Sequence, residues 1–375
     1  MKSIDLGIFS PTARDELLCL QVRLDPEDCA YDYSKLYFST APDEAYAEER
    51  VICFRVRARN AFEQVGLPLP PRCLQTGFLR MRLDGLPYSA GTTSVEAVKL
   101  LEARPDDELT RHARLVGQKE WVRKEVERSE GERRTRLGHY PESLSLELTP
   151  RCNLTCSHCS SHGTGEVHQL NNRRKELDLG MLERLAHEVF PHLTLLTLVG
   201  RGEPTMVSDR LWARLTELLE YYRVFLSCVT NGYFIRRRID AAVLALIDTL
   251  TISIDGVTAD IFAANRGGAS LDRVLANVAY FHDLRSKAAL ARRPKLGLSW
   301  TLKRNNIAEF PDFVRLAKRF DPDFLYVRHL LVFHEKDRGQ SLLGHADLAN
   351  RYLGEAYAML RGSRIKLDVP PLMSR

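Results

Sequence analysis

The chain has 375 residues, of which 44% are hydrophobic and 27% charged, ordinary values for a globular protein that exclude a disordered or fibrous one. Its 54 lysines and arginines stand against 49 acidic residues, and the resulting +5 is too small and too scattered for a nucleic-acid surface. No apolar run reaches the length of a bilayer span and "MKSIDLGIFSPTARDELL" lacks the basic-then-apolar order of a secretion signal, so a cytoplasmic two-domain protein with eight reduced cysteines is expected.

Residues 1–92 read as a β-rich accessory domain. Strand candidates "ELLCLQVRL", "KLYFST", "RVICFRVRAR" and "GFLRMRLDG" are broken by proline-rich connections such as "GLPLPPRC". Cys19, Cys29, Cys53 and Cys73 are too widely spaced for a metal site and read as buried thiols. From 93 to 141 a helical linker is expected, ending in the charged, solvated run "VERSEGERR".

Residues 142–335 alternate short apolar runs with helical patterns. The strands are "SLSLEL" (143–148), "LTLLTLVG" (193–200), "RVFLSCVT" (223–230), "DTLTISID" (248–255), "KLGLSWTL" (295–302) and "FLYVRHLL" (324–331). Helical segments such as "LDLGMLERLAHEVF" and "SLDRVLANVAYFHDLR" separate them. The expected fold class is α/β, a partial (β/α)6 TIM-type barrel preceded by the smaller β-rich domain, with its chemistry on the loops after the strand C-termini. A C-terminal helix and strand are expected over 336–375. The runs Arg173–Lys175 and Arg236–Arg238 read as solvated helix ends.

"LTPRCNLTCSHCSSHG" (148–163) follows the first of these strands and spaces Cys152, Cys156 and Cys159 as C-x3-C-x2-C. Soft thiolates on one loop suit iron–sulfur or zinc, and three protein ligands leave a coordination position open for something that reacts. The alternative is a zinc site closed by His158 or His162, which would make this a non-enzymatic binding protein.

Further motifs sit at successive strand ends: "GRGEP" (200–204), "TNG" (230–232) and "SIDG" (253–256). In that order, and with the cysteine loop, they resemble the radical S-adenosylmethionine (radical SAM) enzymes over roughly residues 143–335. The resemblance implies a [4Fe–4S] cluster on Cys152, Cys156 and Cys159. Its open iron would take S-adenosylmethionine, and reductive cleavage would yield a 5′-deoxyadenosyl radical that abstracts hydrogen from a substrate.

The same resemblance implies the contacts to the cofactor. Glu203 would face the methionine ammonium, with Gly202 allowing close backbone approach and Pro204 fixing the turn. Ser253 and Asp255, two apart on a strand and hence on one face, would bind the ribose hydroxyls. Thr230 would lie near the cofactor and Asn231 would add a polar contact. Arg266 would meet the methionine carboxylate and His158 would lie by the adenine. Arg201 stands where the family pattern usually has glycine.

Cys228 precedes Thr230 by two residues, on the same face of its strand. It reads either as a thiol that returns a hydrogen atom to a substrate radical or as a buried core cysteine. Many relatives carry a cysteine-rich C-terminal extension for auxiliary clusters, but no cysteine follows Cys228 here. No cobalamin-binding pattern precedes the cluster loop.

The expected partners are a peptide or small-molecule substrate and an electron donor such as flavodoxin or ferredoxin. The substrate would be a ribosomally made peptide or a specialised metabolite, with a sugar or nucleoside antibiotic precursor as the alternative. It would meet barrel-lumen positions such as Ser299, Thr301 and Tyr326.

Overall fold

A computed structural model describes residues 3–12, 17–25, 33–47, 50–55, 63–76, 78–85, 92–101, 107–288, 290 and 293–373. Cys29 lies outside them. The chain divides into two compact units, one of Met1–Glu142 with Glu188–Thr194 and Ala288–Arg293, the other of the remaining segments from Ser143 to Arg375.

The first unit contains β1 (Ser3–Phe9), β2 (Leu17–Asp25), β3 (Tyr33–Ser39), β4 (Val51–Arg55) and β5 (Glu63–Pro68). A short α1 (Pro71–Thr76), β6 (Leu79–Gly85), β7 (Thr92–Leu101) and the long α2 (Glu108–Gly131) complete it. Two antiparallel sheets form, in the orders β1-β6-β3-β4 and β5-β2-β7. Alternating residues such as Leu18, Leu20 and Val22 of β2 join Leu36, Phe54, Val65 and Leu67 in one buried cluster.

One segment differs from the sequence reading. The span expected to open the helical linker is strand β7, paired with β2 from Leu17↔Leu101 to Asp25↔Thr92. Its Ala, Leu and Lys suit a helix, but pairing with a buried strand overrides local propensity. Helix begins only at α2, where the Asp107 carboxylate caps the Thr110 N–H.

The second unit begins with β8 (Ser143–Leu146), the short β9 (Thr155–Cys156), α3 (Gly165–Asn172) and α4 (Leu179–Val189). Next come β10 (Leu195–Leu198), α5 (Asp209–Tyr221), β11 (Phe225–Thr230), α6 (Ile235–Arg238) and α7 (Ala241–Leu246). The chain continues through β12 (Ile247–Ser253), α8 (Ala259–Asn265), β13 (Arg266–Gly267), α9 (Leu271–Lys287) and β14 (Lys295–Leu302). It closes with α10 (Phe310–Lys318), β15 (Phe324–His329), α11 (Ala346–Leu360) and β16 (Lys366–Asp368).

Six parallel strands run in the order β8-β10-β11-β12-β14-β15, and β16 adds a seventh beside β15. The two faces differ sharply. Leu146, Leu198, Cys228, Leu250 and Leu296 form one register row. By strand alternation that row shares its face with Trp300, whose ring lies 4.7 Å from Phe313 of α10. The opposite face carries Leu195 and Phe225 at its lower end and Val229 further up, but is otherwise polar, with Ser145, Thr197, Ser227, Thr249, Thr251 and Ser299. A parallel sheet covered on both faces would be apolar throughout, so this inner face lines a polar lumen.

One basic run departs from the expected solvated helix end. Arg238 is buried, donating from Nε to Thr205 O at 2.9 Å and from Nη1 to Asp209 at 2.6 Å, so it pins α6 to the loop after β10. Among the described residues, no helix is long and apolar enough to cross a membrane.

Candidate active site

The cysteine loop is fixed from several sides. After β8 the chain turns through Thr149 and Pro150. β9 then pairs with β13 so that Cys156 lies opposite Arg266. The Ser157 N–H donates to Asn265 O at 3.1 Å, holding the segment between the second and third cysteines. Backbone N–H groups also point at sulfur: Leu154 toward Cys152 Sγ at 3.5 Å and Ser161 toward Cys159 Sγ at 3.4 Å.

Helix α3 holds the start of this loop through a hydrogen-bonded chain. The Cys152 N–H donates to Asn172 Oδ1 at 2.9 Å, and Asn172 Nδ2 donates to His168 Nε2 at 2.9 Å. His168 Nδ1 meets His162 Nδ1 at 2.9 Å, and His162 Nε2 donates to Pro150 O at 3.0 Å. Because a carbonyl only accepts, a single arrangement of protons on two neutral imidazoles satisfies every link. Both nitrogens of His162 are thereby committed, so it is not the fourth ligand of a zinc site.

The "GRGEP" turn is laced onto the same loop. The Glu203 N–H donates to Arg151 O at 2.8 Å. A Cβ on Gly202 would overlap the Thr149 and Arg151 carbonyls and lie 2.6 Å from Pro150 C, so only glycine lets the two backbones approach. Pro204 starts a single 3-10 turn that Glu203 caps.

The buried Glu203 carboxylate gathers several donors. Oε1 accepts from the Thr205 N–H, the Thr205 hydroxyl and, at 2.7 Å, the Thr230 hydroxyl, while Oε2 accepts the Asn231 N–H at 2.8 Å. A carboxylate offers about four lone-pair sites, two on each oxygen, so Oε2 keeps capacity for one more donor. Asn231 then spans to the cysteine loop, its Nδ2 2.9 Å from Asn153 Oδ1 and 4.0 Å from Cys152 Sγ. Thr230 and Asn231 thus join the loop after β11 to the loops after β8 and β10.

Ser253 ends β12, and its hydroxyl accepts from Ser299 Oγ at 3.1 Å. Asp255 lies beyond the strand and is fully buried. Its Oδ1 accepts the Thr301 N–H at 2.7 Å, and its Oδ2 pairs with Arg266 Nε at 2.7 Å. Burial acts to raise its pKa, but Arg266, His158 and the Thr301 N–H outweigh it and hold the carboxyl below its ordinary value. It is the counterion of Arg266, whose Nη1 stands 3.8 Å from Cys156 Sγ.

His158 Nε2 lies 3.7 Å from Asp255 Oδ2, and its buried Nδ1 meets no partner among the described residues. Burial lowers its pKa to about 4, so the ring is neutral. Burial pushes the Cys152 thiol up to about 12, and it raises Cys156 against the pull of Arg266. Metal ligation would release those protons.

Three thiols with N–H donors aimed at sulfur, beside a buried ring nitrogen with no partner among the described residues, fit a sulfur-ligated cluster with a polar ligand next to it. Among the described residues, no group of three or more His, Cys, Asp or Glu side chains is gathered at the spacing of a single metal ion.

Cys228 does not join this site. Its register with Leu198 and Leu250 puts it on the face that packs against the helices, and it is buried with its pKa raised by desolvation. Of the two readings of this thiol, its burial and register favour the core cysteine over the hydrogen donor. Thr230 shares its face but lies at the strand end, where the Glu203 loop folds over.

Sequence reasoning missed Lys303, which reaches Ser157, and Glu147, whose carboxylate pairs with Arg201 at 3.0 Å. Neither belongs to a local motif, and each is placed by a strand end.

A family model described as Radical SAM superfamily matches residues 146–317. The mycofactocin maturase MftC of Mycobacterium tuberculosis (strain CDC 1551 / Oshkosh) is 34% identical over 189 residues, covering 48% of this chain and 42% of that protein. The PqqA peptide cyclase of Methylobacterium sp. (strain 4-46) is 28% identical over 234 residues, covering 61% and 58%. The chain therefore spans about half the length of these relatives. The crystal structure of Streptococcus suis SuiB aligns with 15% identity and a TM-score of 0.47, covering 72% of this chain and 56% of that one.

Proposed function

We propose, from the premise that residues 146–317 belong to the radical SAM superfamily, that this chain is an enzyme acting on a ribosomally made peptide in natural-product biosynthesis. It would bind a [4Fe–4S] cluster and S-adenosylmethionine. The observation that carries this reading is the convergence of the three-cysteine loop, the Gly202–Pro204 turn and Asn231 at the C-terminal end of one parallel sheet. The similarity to a maturase and to a cyclase named for a peptide supports the substrate class.

Cys152, Cys156 and Cys159 would hold the cluster as thiolates. When bound, it supplies the electron that cleaves S-adenosylmethionine and so provides a hydrogen-abstracting 5′-deoxyadenosyl radical. The protein's part is orientation. Glu203 offers its remaining Oε2 lone pair to an ammonium, and Arg266, paired with Asp255 through Nε, would offer its guanidinium to a carboxylate. The serine- and threonine-lined lumen offers hydroxyls to the amides of a peptide. An external one-electron donor of flavodoxin or ferredoxin type would complete the cycle, in the reducing cytoplasm.

The test is anaerobic reconstitution with iron and sulfide, then incubation with dithionite and S-adenosylmethionine. About four irons per chain and 5′-deoxyadenosine that disappears in Cys156→Ala support the reading. Tightly held zinc with no 5′-deoxyadenosine overturns it.

A further inference from the structure

Lys303 is the first residue after β14. Its N–H donates to Asn306 Oδ1 at 2.8 Å and its carbonyl accepts the Asn306 N–H at 3.2 Å, a tight turn that folds the side chain inward. The residue is 1% exposed. Nζ donates to Ser157 Oγ at 2.9 Å, between the second and third cysteines of the loop. Lysines are almost never fully buried unless paired, and an ammonium carries three donors. Among the described residues this one meets a single neutral hydroxyl.

The surrounding charges sharpen the point. Burial, and to a lesser degree Arg266, hold Lys303 below the ordinary lysine value, while Asp255, Asp337 and Cys156 pull the other way and favour the charged form. Asp255 is already the partner of Arg266 at 2.7 Å, so the guanidinium near Cys156 is largely neutralised. Lys303 has no such close counterion. It is the less compensated positive charge beside the cysteine loop, and two of its donors remain without a protein acceptor.

We propose that Lys303 is a positioning residue for the cluster loop, holding Ser157 in place and setting a fixed positive charge that raises the reduction potential of a cluster bound there. The inference rests on the cluster-binding reading above. Reduction adds one negative charge, and a nearby cation in a low-dielectric interior favours the reduced form. The hydrogen bond to Ser157 fixes how far that charge sits from the Cys156 and Cys159 sulfurs.

The experiment is a potentiometric titration of the reconstituted full chain followed by electron paramagnetic resonance, comparing wild type, Lys303→Met and Lys303→Arg. A wild type without an iron–sulfur signal sinks the functional reading itself. With the signal present, a lower midpoint potential in Lys303→Met, returned toward wild type by Lys303→Arg, is expected. An unchanged potential in iron-loaded Lys303→Met overturns the inference. Should Lys303→Met take up no iron, Ser157→Ala decides: faster iron loss to a chelator supports the positioning role, and unchanged loss with unchanged potential overturns it.

Discussion

The Arg266 guanidinium lies between the Asp255 carboxylate, 2.7 Å from Nε, and the Cys156 sulfur, 3.8 Å from Nη1. One buried arginine thus ties the loop after β12 to the second cysteine. Replacing Asp255 with asparagine strands that charge in the interior, and a loss of about 3 kcal/mol is expected in chemical denaturation. The carboxyl's lowered pKa gives the same sign with acid. Its stabilisation is present above the ordinary aspartate value and is lost as the pH falls through the depressed one.

Cys228→Ala tests the assignment of this thiol to the core. Stability should fall by about 1–2 kcal/mol from the lost packing. The yield of 5′-deoxyadenosine per cluster should stay within about twofold of wild type, since a core side chain contributes packing and no contact to the chemistry. A large loss of product at full iron content would restore a catalytic role.

Gly202→Ala forces a methyl group against the backbone of residues 149–151. The strain should cost about 3 kcal/mol and push the cysteine loop outward. Iron content after reconstitution and the thermal midpoint read the two effects together. Wild-type values for both would mean that the loops are not packed as closely as the geometry requires.

His162 is held below the ordinary histidine value, chiefly by burial. The stability from its neutral ring is intact above the unfolded value of about 6.5 and is lost as the pH falls toward the depressed one. The protection factors of the amides over residues 150–163, which divide out the intrinsic pH dependence of exchange, should therefore fall with acid in the wild type. In His168→Ala, where the chain is already broken, protection should be low at every pH.

Much of the barrel was legible because its strands are short apolar runs ended by motifs whose residue types serve one chemistry. Lys295–Leu302 is strand over the whole span read from the sequence. The pairing of Asp255 with Arg266 was not legible, because β12 ends at Ser253 and strand alternation says nothing of a partner two residues beyond it. Cys228 was ambiguous because alternation says which residues share a face without saying which face meets the lumen. Register with Leu198 and packing of Trp300 on α10 decide it. Lys303, Glu147 and His168 act on partners 146, 54 and 6 residues away, and only the first two distances hide the partner from a local reading.

The side-chain chain that starts on the Cys152 N–H ends on the carbonyl of Pro150, two residues earlier. It is a closed ring threaded through Arg151, with helix α3 as its far side. A ring opens once. Asn172→Ala and His162→Ala should each undo it, and the double variant should lose little more than either alone, a strong non-additivity between residues ten positions apart.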